Sequence, residues 1–172
     1  MREVNAVKLN IISLLSEGAL PKEGNLVFDP QGWDIQGFEV QGPVKMRYKA
    51  VPRHQTVELE TLVEASLAGS CARCLDAFSQ HLKVRRKVVI RESDLHEVFP
   101  ELPYTPAGEL DLQEFAYQEL VLEAPAVPLC SEECPGLCQN CGRKKADCNC
   151  GEKPEGDPRW QILKQFEFAG DE

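Results

Sequence analysis

The sequence predicts an α+β fold. Its main part is an antiparallel β meander, for which a barrel-like form is one option, with one central helix. A C-terminal cysteine-rich zinc knuckle and a short helix follow. Two observations lead to this prediction. Apolar and charged residues alternate over three segments between residues 44 and 91, as they do in strands with one buried face. Eight cysteines fall into four close pairs, three of them between residues 130 and 150.

Three segments carry the strand pattern. In residues 44–50 the apolar residues are even-numbered and the basic residues odd-numbered, which is typical of a strand with one wet face. A turn near Pro52 to Gln55 leads to residues 57–67, where apolar residues alternate with glutamates. In residues 82–91 apolar residues alternate with basic residues. Arg86 is the exception, because it stands at a position where the pattern calls for an apolar residue. The three segments predict an antiparallel meander.

The remaining elements are predicted from shorter signals. Residues 5–12 alternate weakly, which indicates an edge or lead-in strand that ends before Gly18, Pro21 and Gly24. The stretch 93–110 is rich in proline and acids and is predicted to be a loop. Asp111 can cap a helix that ends before Pro125. A last short helix is predicted to begin at Asp157–Pro158, with Trp160 and Leu163 on one side.

The four cysteine pairs have the spacing of metal ligands. Pairs of thiolates two or three residues apart present two sulfur atoms to one ion, so the pattern predicts two four-thiolate zinc sites. The preferred grouping puts the pair at the predicted hairpin tip with the first pair after the helix, and leaves the last four cysteines to form a compact knuckle. The predicted ligands are Cys71, Cys74, Cys130 and Cys134 in site 1, and Cys138, Cys141, Cys148 and Cys150 in site 2.

Several alternatives remain open at this stage. Cys130 and Cys134 could serve the knuckle instead, with Cys148 or Cys150 as a spectator. The cysteines could also be surface residues, a redox Cys-x-x-Cys pair or ligands of an iron–sulfur cluster. A catalytic zinc ion is disfavoured, because it usually takes histidine or carboxylate ligands and keeps one position open. His54, His81 and His96 have no metalloprotease or deaminase spacing.

Length and composition limit the domain organisation and location. The 172 residues suffice for one ordinary domain with an appendage. We expect residues 1–129 to form the domain of antiparallel sheet and helix. Residues 130–172 are expected to form a cysteine-rich zinc-binding segment with a C-terminal helix, and this segment is expected to pack on the first domain. The chain shows no secretory leader and no apolar run of membrane-spanning length. We therefore expect a cytoplasmic protein whose thiols stay reduced.

The charge distribution suggests a basic face on an acidic protein. The formal net charge is −9, yet residues 41–91 contain ten basic residues against four acids. Part of this excess could be an ordinary wet face with cross-strand ion pairs, but an uncompensated stripe could also follow a phosphate backbone. The candidate RNA-binding residues are Lys45, Arg47, Lys49, Lys83, Arg85, Lys87 and Arg91 on the strands and Arg143, Lys144 and Lys145 on the knuckle. No sequence motif of a nucleotide-binding or hydrolytic enzyme is present, so no catalytic residue is predicted.

Four motifs follow one another in a recognisable order. They are Cys71-Ala-Arg-Cys74-Leu, the helix DLQEFAYQELVLEAPAVPLC, the run Cys130-x3-Cys134-x-Gly136-Leu137-Cys138-x2-Cys141-Gly142, and Asp157-Pro158-Arg159-Trp160-x2-Leu163. Together they resemble the YceD family, whose members are described as large ribosomal RNA subunit accumulation proteins. The resemblance covers roughly residues 40–165. This knuckle departs from many relatives, which carry Leu-Asn where it has Lys144-Lys145-Ala146.

The resemblance implies a role in accumulation of 23S ribosomal RNA and in biogenesis of the large ribosomal subunit. It supplies no catalytic residue. Our first hypothesis is therefore a non-catalytic factor that binds 23S rRNA or its precursor through the basic β face. A second hypothesis is a zinc-stapled adaptor that holds a ribosomal protein or a processing enzyme and never touches RNA. A zinc hydrolase or thiol oxidoreductase is a distant third.

Overall fold

The alternating segments form the main sheet of the protein. The computed structural model describes residues 8–97 and 100–151, so the helix predicted at Asp157 lies outside the described residues. A four-stranded antiparallel sheet contains β2 (Lys22–Phe28), β3 (Phe38–Arg53), β4 (Thr56–Ser70) and β5 (Ala77–Arg91), each beside its neighbour in the chain. The predicted meander is confirmed, and its three long strands are those read from the alternation.

The sheet is open, and the barrel-like form was wrong. Within the part of the chain that the structure describes, β2 and β5 are the two edges and do not pair with each other. The physical reason lies on the covered face of the sheet. There a helix packs on β4 and β5, so the apolar residues of the strands are buried by a second layer and the sheet needs no closure on itself.

The first strand of this sheet was missed by the sequence analysis. Residues 22–28 pair with β3 over their whole length, from Lys22 opposite Ala50 to Phe28 opposite Val44. Gly24, read as a strand breaker, instead lies opposite Tyr48. A Cβ atom at this glycine would come within 2.7 Å of Tyr48 Cε1, so the aromatic ring packs directly on the glycine backbone.

Two short strands and a short helix flank the main sheet. The predicted lead-in strand is reduced to β1 (Lys8–Asn10), which pairs with β6 (Glu109–Asp111) in the stretch predicted to be a loop. A second helix, α1 (Ile11–Leu15), was not predicted. The side chain of Asn10 caps it and accepts a hydrogen bond of 2.7 Å from the Ser13 N–H. A 3-10 turn at Glu92–His96 follows β5.

The central helix α2 (Leu112–Glu123) is confirmed where it was predicted. The Asp111 carboxylate caps it and accepts hydrogen bonds from the N–H groups of Gln113 and Glu114 at 3.0 and 3.1 Å. Phe115 and Leu120 are almost fully buried and join the apolar residues of β3, β4 and β5 in one core. Neither helix among the described residues has the length and apolar character needed to cross a membrane.

Candidate metal centres and basic sheet face

The hairpin between β4 and β5 carries the first cysteine pair. The Cys71 N–H donates to the Asp76 carbonyl at 2.8 Å, and the Leu75 N–H donates to the Cys71 carbonyl at 2.9 Å. These two bonds close a tight turn that directs the sulfur atoms of Cys71 and Cys74 to the same side. Both side chains are buried. The prediction that the pair lies at a hairpin tip is therefore confirmed.

The segment after α2 brings two further sulfur atoms to this tip. Cys134 Sγ lies 3.8 Å from Cys71 Sγ, and Cys130 Sγ lies 3.7 Å from Cys74 Sγ. The approach is fixed by hydrogen bonds outside the sulfur cluster. The Ala72 N–H donates to the Pro128 carbonyl at 2.8 Å, and Arg73 Nη1 donates to the carbonyls of Glu132 and Cys134 at 3.0 and 3.1 Å.

The last four cysteines form a second cluster close to the protein surface. Cys138, Cys141, Cys148 and Cys150 bring one sulfur each to within 4.8 Å of one another, as the four cysteines of the first cluster also do. Cys141 and Cys150 are exposed, and the other two are half-buried. The structure thus groups the sulfur atoms in the two sets that the spacing favoured, with Cys148 and Cys150 both in the second cluster.

The geometry of both clusters fits a tetrahedral metal ion. With a Zn–S bond of about 2.3 Å, the edge of a tetrahedron of four sulfur atoms is about 3.8 Å. The contacts of 3.8 and 3.7 Å in the first cluster match this edge, and Cys141 Sγ lies 3.5 Å from Cys148 Sγ in the second. Two cysteine tetrads could therefore hold metal ions. A set of four sulfur ligands also suits iron, so the identity of the metal stays a prediction.

The thiols within each cluster differ in pKa. The backbone N–H of Cys130 lowers the pKa of Cys71 to about 6. At Cys74, the Asp76 N–H favours the thiolate, but burial and the neighbouring thiols outweigh it and raise the pKa to about 12. In the same way the N–H groups of Cys141 and Asn140 lower the pKa of Cys138 to about 6, whereas the thiols of Cys148 and Cys141 raise that of Cys150 to about 12. Each cluster thus contains one thiol whose pKa is lowered beside neighbours whose pKa is raised, and four thiolates at this distance would need a positive ion between them.

The two Cys-x-x-Cys turns share one backbone geometry. The N–H of Arg73 donates to Cys71 Sγ and the N–H of Asn140 donates to Cys138 Sγ, both at 3.4 Å. The residue after the second cysteine is left-handed in each turn, with φ +64° at Leu75 and +69° at Gly142. Such N–H···S bonds orient metal-binding thiolates. Glycine takes this conformation easily, whereas leucine takes it at a cost.

The second cluster is attached to the first by an ion pair. Lys144 Nζ lies 2.7 Å from the Asp76 carboxylate on the hairpin tip. This pair lowers the pKa of Asp76 and raises that of Lys144. Lys144 therefore has a neighbouring acid that partly neutralises it, whereas Arg143 and Lys145, the other two knuckle candidates, are exposed and form no ion pair within the described residues.

The seven basic candidates on the strands share one face of the sheet, here called the outer face. The strand register aligns them across β4, with Lys45 and Lys83 beside Glu64 and with Lys49 and Lys87 beside Glu60. Arg47 and Arg85 lie beside Leu62, and Arg91 lies beside Thr56 at the end of the sheet. The sequence analysis missed the contribution of β2, which places Asn25 beside Arg47. The alternation of Gly24, Leu26 and Phe28 was the signal that could have revealed this strand.

Arg86 is the one basic residue of β5 that departs from the outer face. Its Nε lies 3.7 Å from Glu119 Oε1 on α2. The carbonyl of Arg86 accepts a 3.5 Å hydrogen bond from the buried Thr61 hydroxyl. The residue that broke the alternation in the sequence therefore has a partner on the covered face.

A family model described as "Large ribosomal RNA subunit accumulation protein YceD" matches residues 59–167, more than half of the chain. The chain belongs to the YceD family. The YceD match begins within β4 and spans all eight cysteines, whereas β2 and β3 precede it.

Similar proteins occur in mycobacteria. An uncharacterized protein of Mycobacterium leprae is 25% identical over 122 residues, which is 64% of this chain and 53% of the relative. Uncharacterized proteins of Mycobacterium bovis and Mycobacterium tuberculosis are 31% identical over 115 residues, 60% of this chain and 52% of each relative. The chain thus spans about half the length of the curated relatives it matches. No solved structure shows a significant match.

Proposed function

We propose that this member of the YceD family is a non-catalytic factor that promotes accumulation of 23S ribosomal RNA and biogenesis of the large ribosomal subunit. It binds the rRNA or its precursor through the outer face of β3, β4 and β5. The observation that carries the proposal is the gathering of seven basic side chains on one sheet face in a chain of net charge −9. Clustered Lys and Arg residues are the source of affinity for nucleic-acid phosphates.

Two zinc ions complete the proposal as structural staples. Site 1 holds the β4–β5 hairpin against the segment after α2, and site 2 forms the knuckle beside it. All eight ligands would be thiolates, which is typical of structural sites in which no coordination position remains for a substrate. We therefore assign no catalytic role to either ion.

The RNA-binding proposal is tested with fragments of 23S rRNA in a filter-binding assay at several salt concentrations. We expect affinity to fall steeply with salt. Arg85→Glu combined with Lys87→Glu should weaken binding further. The matched control is Lys8→Glu with Lys22→Glu, which changes the net charge equally but alters β1 and the end of β2. Equal affinity in the two double variants would reject direct binding through the outer face.

A second function is supported by the ion pairs on the same face. The β5 lysines lie close to the three β4 glutamates, with Lys83 2.7 Å from Glu64 and Lys87 3.3 Å from Glu60. Part of the basic stripe is therefore compensated, which leaves less charge for phosphate contacts and favours a protein-interaction adaptor that binds a ribosomal protein or a processing enzyme without touching RNA. Pull-downs from nuclease-treated lysates distinguish the two functions. A ribosomal or processing partner that survives this treatment favours the adaptor, and loss of the partner favours RNA binding.

A further inference from the structure

The outer face is organised in rows that run across the strands, and one row differs from its neighbours. Two rows place a glutamate of β4 between two lysines: Lys45–Glu64–Lys83 and Lys49–Glu60–Lys87. The row between them contains Arg47, Leu62 and Arg85, and β2 adds Asn25 at its end. The central row thus contains two arginines, and its β4 position is a leucine instead of the glutamate found in the two neighbouring rows.

The ion pairs follow the same division. Lys83 and Lys87 each lie within 4.0 Å of a β4 carboxylate, with Lys83 2.7 Å from Glu64. The hydrogen bond from Lys83 also lowers the pKa of Glu64, with smaller contributions from the charges of Lys83 and Arg47. Within the described residues, neither Arg47 nor Arg85 forms an ion pair, and both are exposed. Lys45, Lys49 and Arg91 on the same face also form no ion pair within the described residues, but Lys45 and Lys49 each lie beside a glutamate of β4 and Arg91 lies at the end of the sheet. The central row is therefore the one between the two lysine rows that has two cations and no acid of β4.

The surface around the central row is concave. A depression of about 770 Å³ is lined by residues that include Asn25, Arg47, Leu62 and Arg85 of the central row. Its lining also includes Lys49, Lys87, Glu23 and Glu60 of the neighbouring row. Neighbouring strands lie about 4.8 Å apart, so the backbones of Arg47 and Arg85, two strands apart, are roughly 10 Å from each other. Two long side chains at this separation can approach one phosphodiester or two successive phosphates from opposite sides, and a guanidinium matches phosphate oxygens in a bidentate manner.

We propose that Arg47 and Arg85, with Asn25 at the end of their row, form the phosphate-binding centre of the outer face and hold the backbone of an RNA strand above Leu62. Lys83 and Lys87 add to the positive electrostatic potential of the face but stay in their ion pairs with the β4 glutamates. The inference rests on the proposed function and refines it, because it assigns the phosphate contacts to one row rather than to the whole basic stripe.

Four single substitutions distinguish a specific effect of the central row on RNA affinity from a general effect of net charge. Arg47→Gln, Arg85→Gln, Lys83→Gln and Lys87→Gln each remove one positive charge from the same face. In filter binding to a 23S rRNA fragment, each arginine variant should lose about tenfold or more in affinity and reduce the salt slope by roughly 0.7 to 1. Each lysine variant should lose less than about threefold. Equal losses of affinity in all four variants would contradict the proposed phosphate-binding centre and would show that binding depends on total charge.

A fifth variant tests the central row without removing any cation. Leu62→Glu gives this row the acid of its neighbours and should weaken binding about tenfold, whereas the neutral control Leu62→Gln should bind almost as well as the wild-type protein. Circular dichroism and thermal unfolding verify that both variants fold. Glutamate and glutamine variants of equal affinity would contradict the inference.

Failure of the inference and failure of the proposed function have different signatures. If the wild-type protein binds the rRNA fragment and both arginine variants bind it equally well, the phosphate centre is wrong but RNA binding stands. If the wild-type protein binds no rRNA fragment even at low salt, the proposed function is overturned and the centre with it. The conservative variant Arg85→Lys keeps the charge but loses the planar fork, so an affinity between those of wild type and Arg85→Gln supports bidentate contact.

Discussion

Arg86 on β5 and Glu119 on α2 form an ion pair of 3.7 Å between the main sheet and the central helix. The Glu119 side chain is buried, whereas about half of the Arg86 side chain remains exposed. Burial outweighs the attraction of the Arg86 cation and raises the pKa of Glu119. The pair therefore fixes where the helix lies but leaves a carboxylate in a place that disfavours its charge.

Arg86→Met should lower the free energy of unfolding by about 1–3 kcal/mol at pH 7, because the buried carboxylate loses its cation. The loss should shrink as the pH falls through the pKa of Glu119, since the protonated side chain needs no partner. Chemical denaturation between pH 4 and pH 8 measures this dependence. The matched control is Arg85→Met on the neighbouring residue of the outer face, which should leave stability almost unchanged. A loss independent of pH would contradict the assignment.

Glu119→Gln should behave in the opposite way. A raised carboxyl pKa means that the folded protein binds the proton more tightly than the unfolded chain, so stability decreases as the pH rises from the unfolded pKa through the folded one. Glutamine removes this term and leaves Arg86 partly solvated. We expect the variant to equal or exceed the wild type in stability at pH 7, with a smaller advantage at pH 4. Equilibrium unfolding in urea at both values tests the sign.

Leu75→Gly should stabilise the hairpin tip. Leucine holds a left-handed conformation there, with φ +64°, at the position that glycine takes in the second turn. Relief of this strain is worth about 1 kcal/mol, which corresponds to roughly 2–4 °C in Tm for a protein of this size. Leu75→Ala is the control, because alanine retains the Cβ atom that causes the strain. A gain with alanine equal to that with glycine would show that removal of the exposed leucine side chain, rather than the backbone, is responsible.

The two proposed metal ions should leave at different rates. Three of the four sulfur ligands of site 1 are buried, whereas every ligand of site 2 is half-buried or exposed. Elemental analysis should give two zinc ions per chain, and a chromogenic chelator should release them in two phases, the faster from site 2. Cys148→Ser should remove the fast phase, and Cys134→Ser should remove the slow one. Absence of metal from reduced purified protein would overturn both assignments.

Asp111→Ala should destabilise the protein by about 1 kcal/mol. The carboxylate accepts hydrogen bonds from two N–H groups at the start of α2, and alanine leaves both without this acceptor. Asp111→Asn retains a side-chain oxygen in the same place and should lose much less. Thermal unfolding of the two variants under identical conditions separates the cap from a general effect of the substitution.

The sequence predicted best those features that depend on local periodicity. The alternation around Lys45, Glu60 and Arg85 assigned the long strands and the side chains that share the outer face, because side-chain direction in a strand has a period of two. The cap at Asp111 was equally visible. These features require only neighbouring residues along the chain, and the structure has them at the expected positions.

Features that depend on distant packing were harder to obtain. Gly24 looked like a strand breaker, because only the pairing of β2 with β3 reveals the Tyr48 ring that covers it. Arg86 seemed misplaced, because its partner Glu119 comes close only once α2 packs on the sheet. The open edges of the sheet could not be read from alternation, since that pattern is the same in an open sheet and a closed one.

The contact between Cys71 and Cys134 spans 63 positions in the chain, which has a consequence for synthesis. At roughly 5–20 residues per second, a ribosome needs about 3 to 13 s to add that length. During this interval the nascent hairpin displays its two thiols before their later partners exist. The emerging polypeptide is therefore most vulnerable to oxidants and competing ions in a brief window that closes only after translation has passed Cys134.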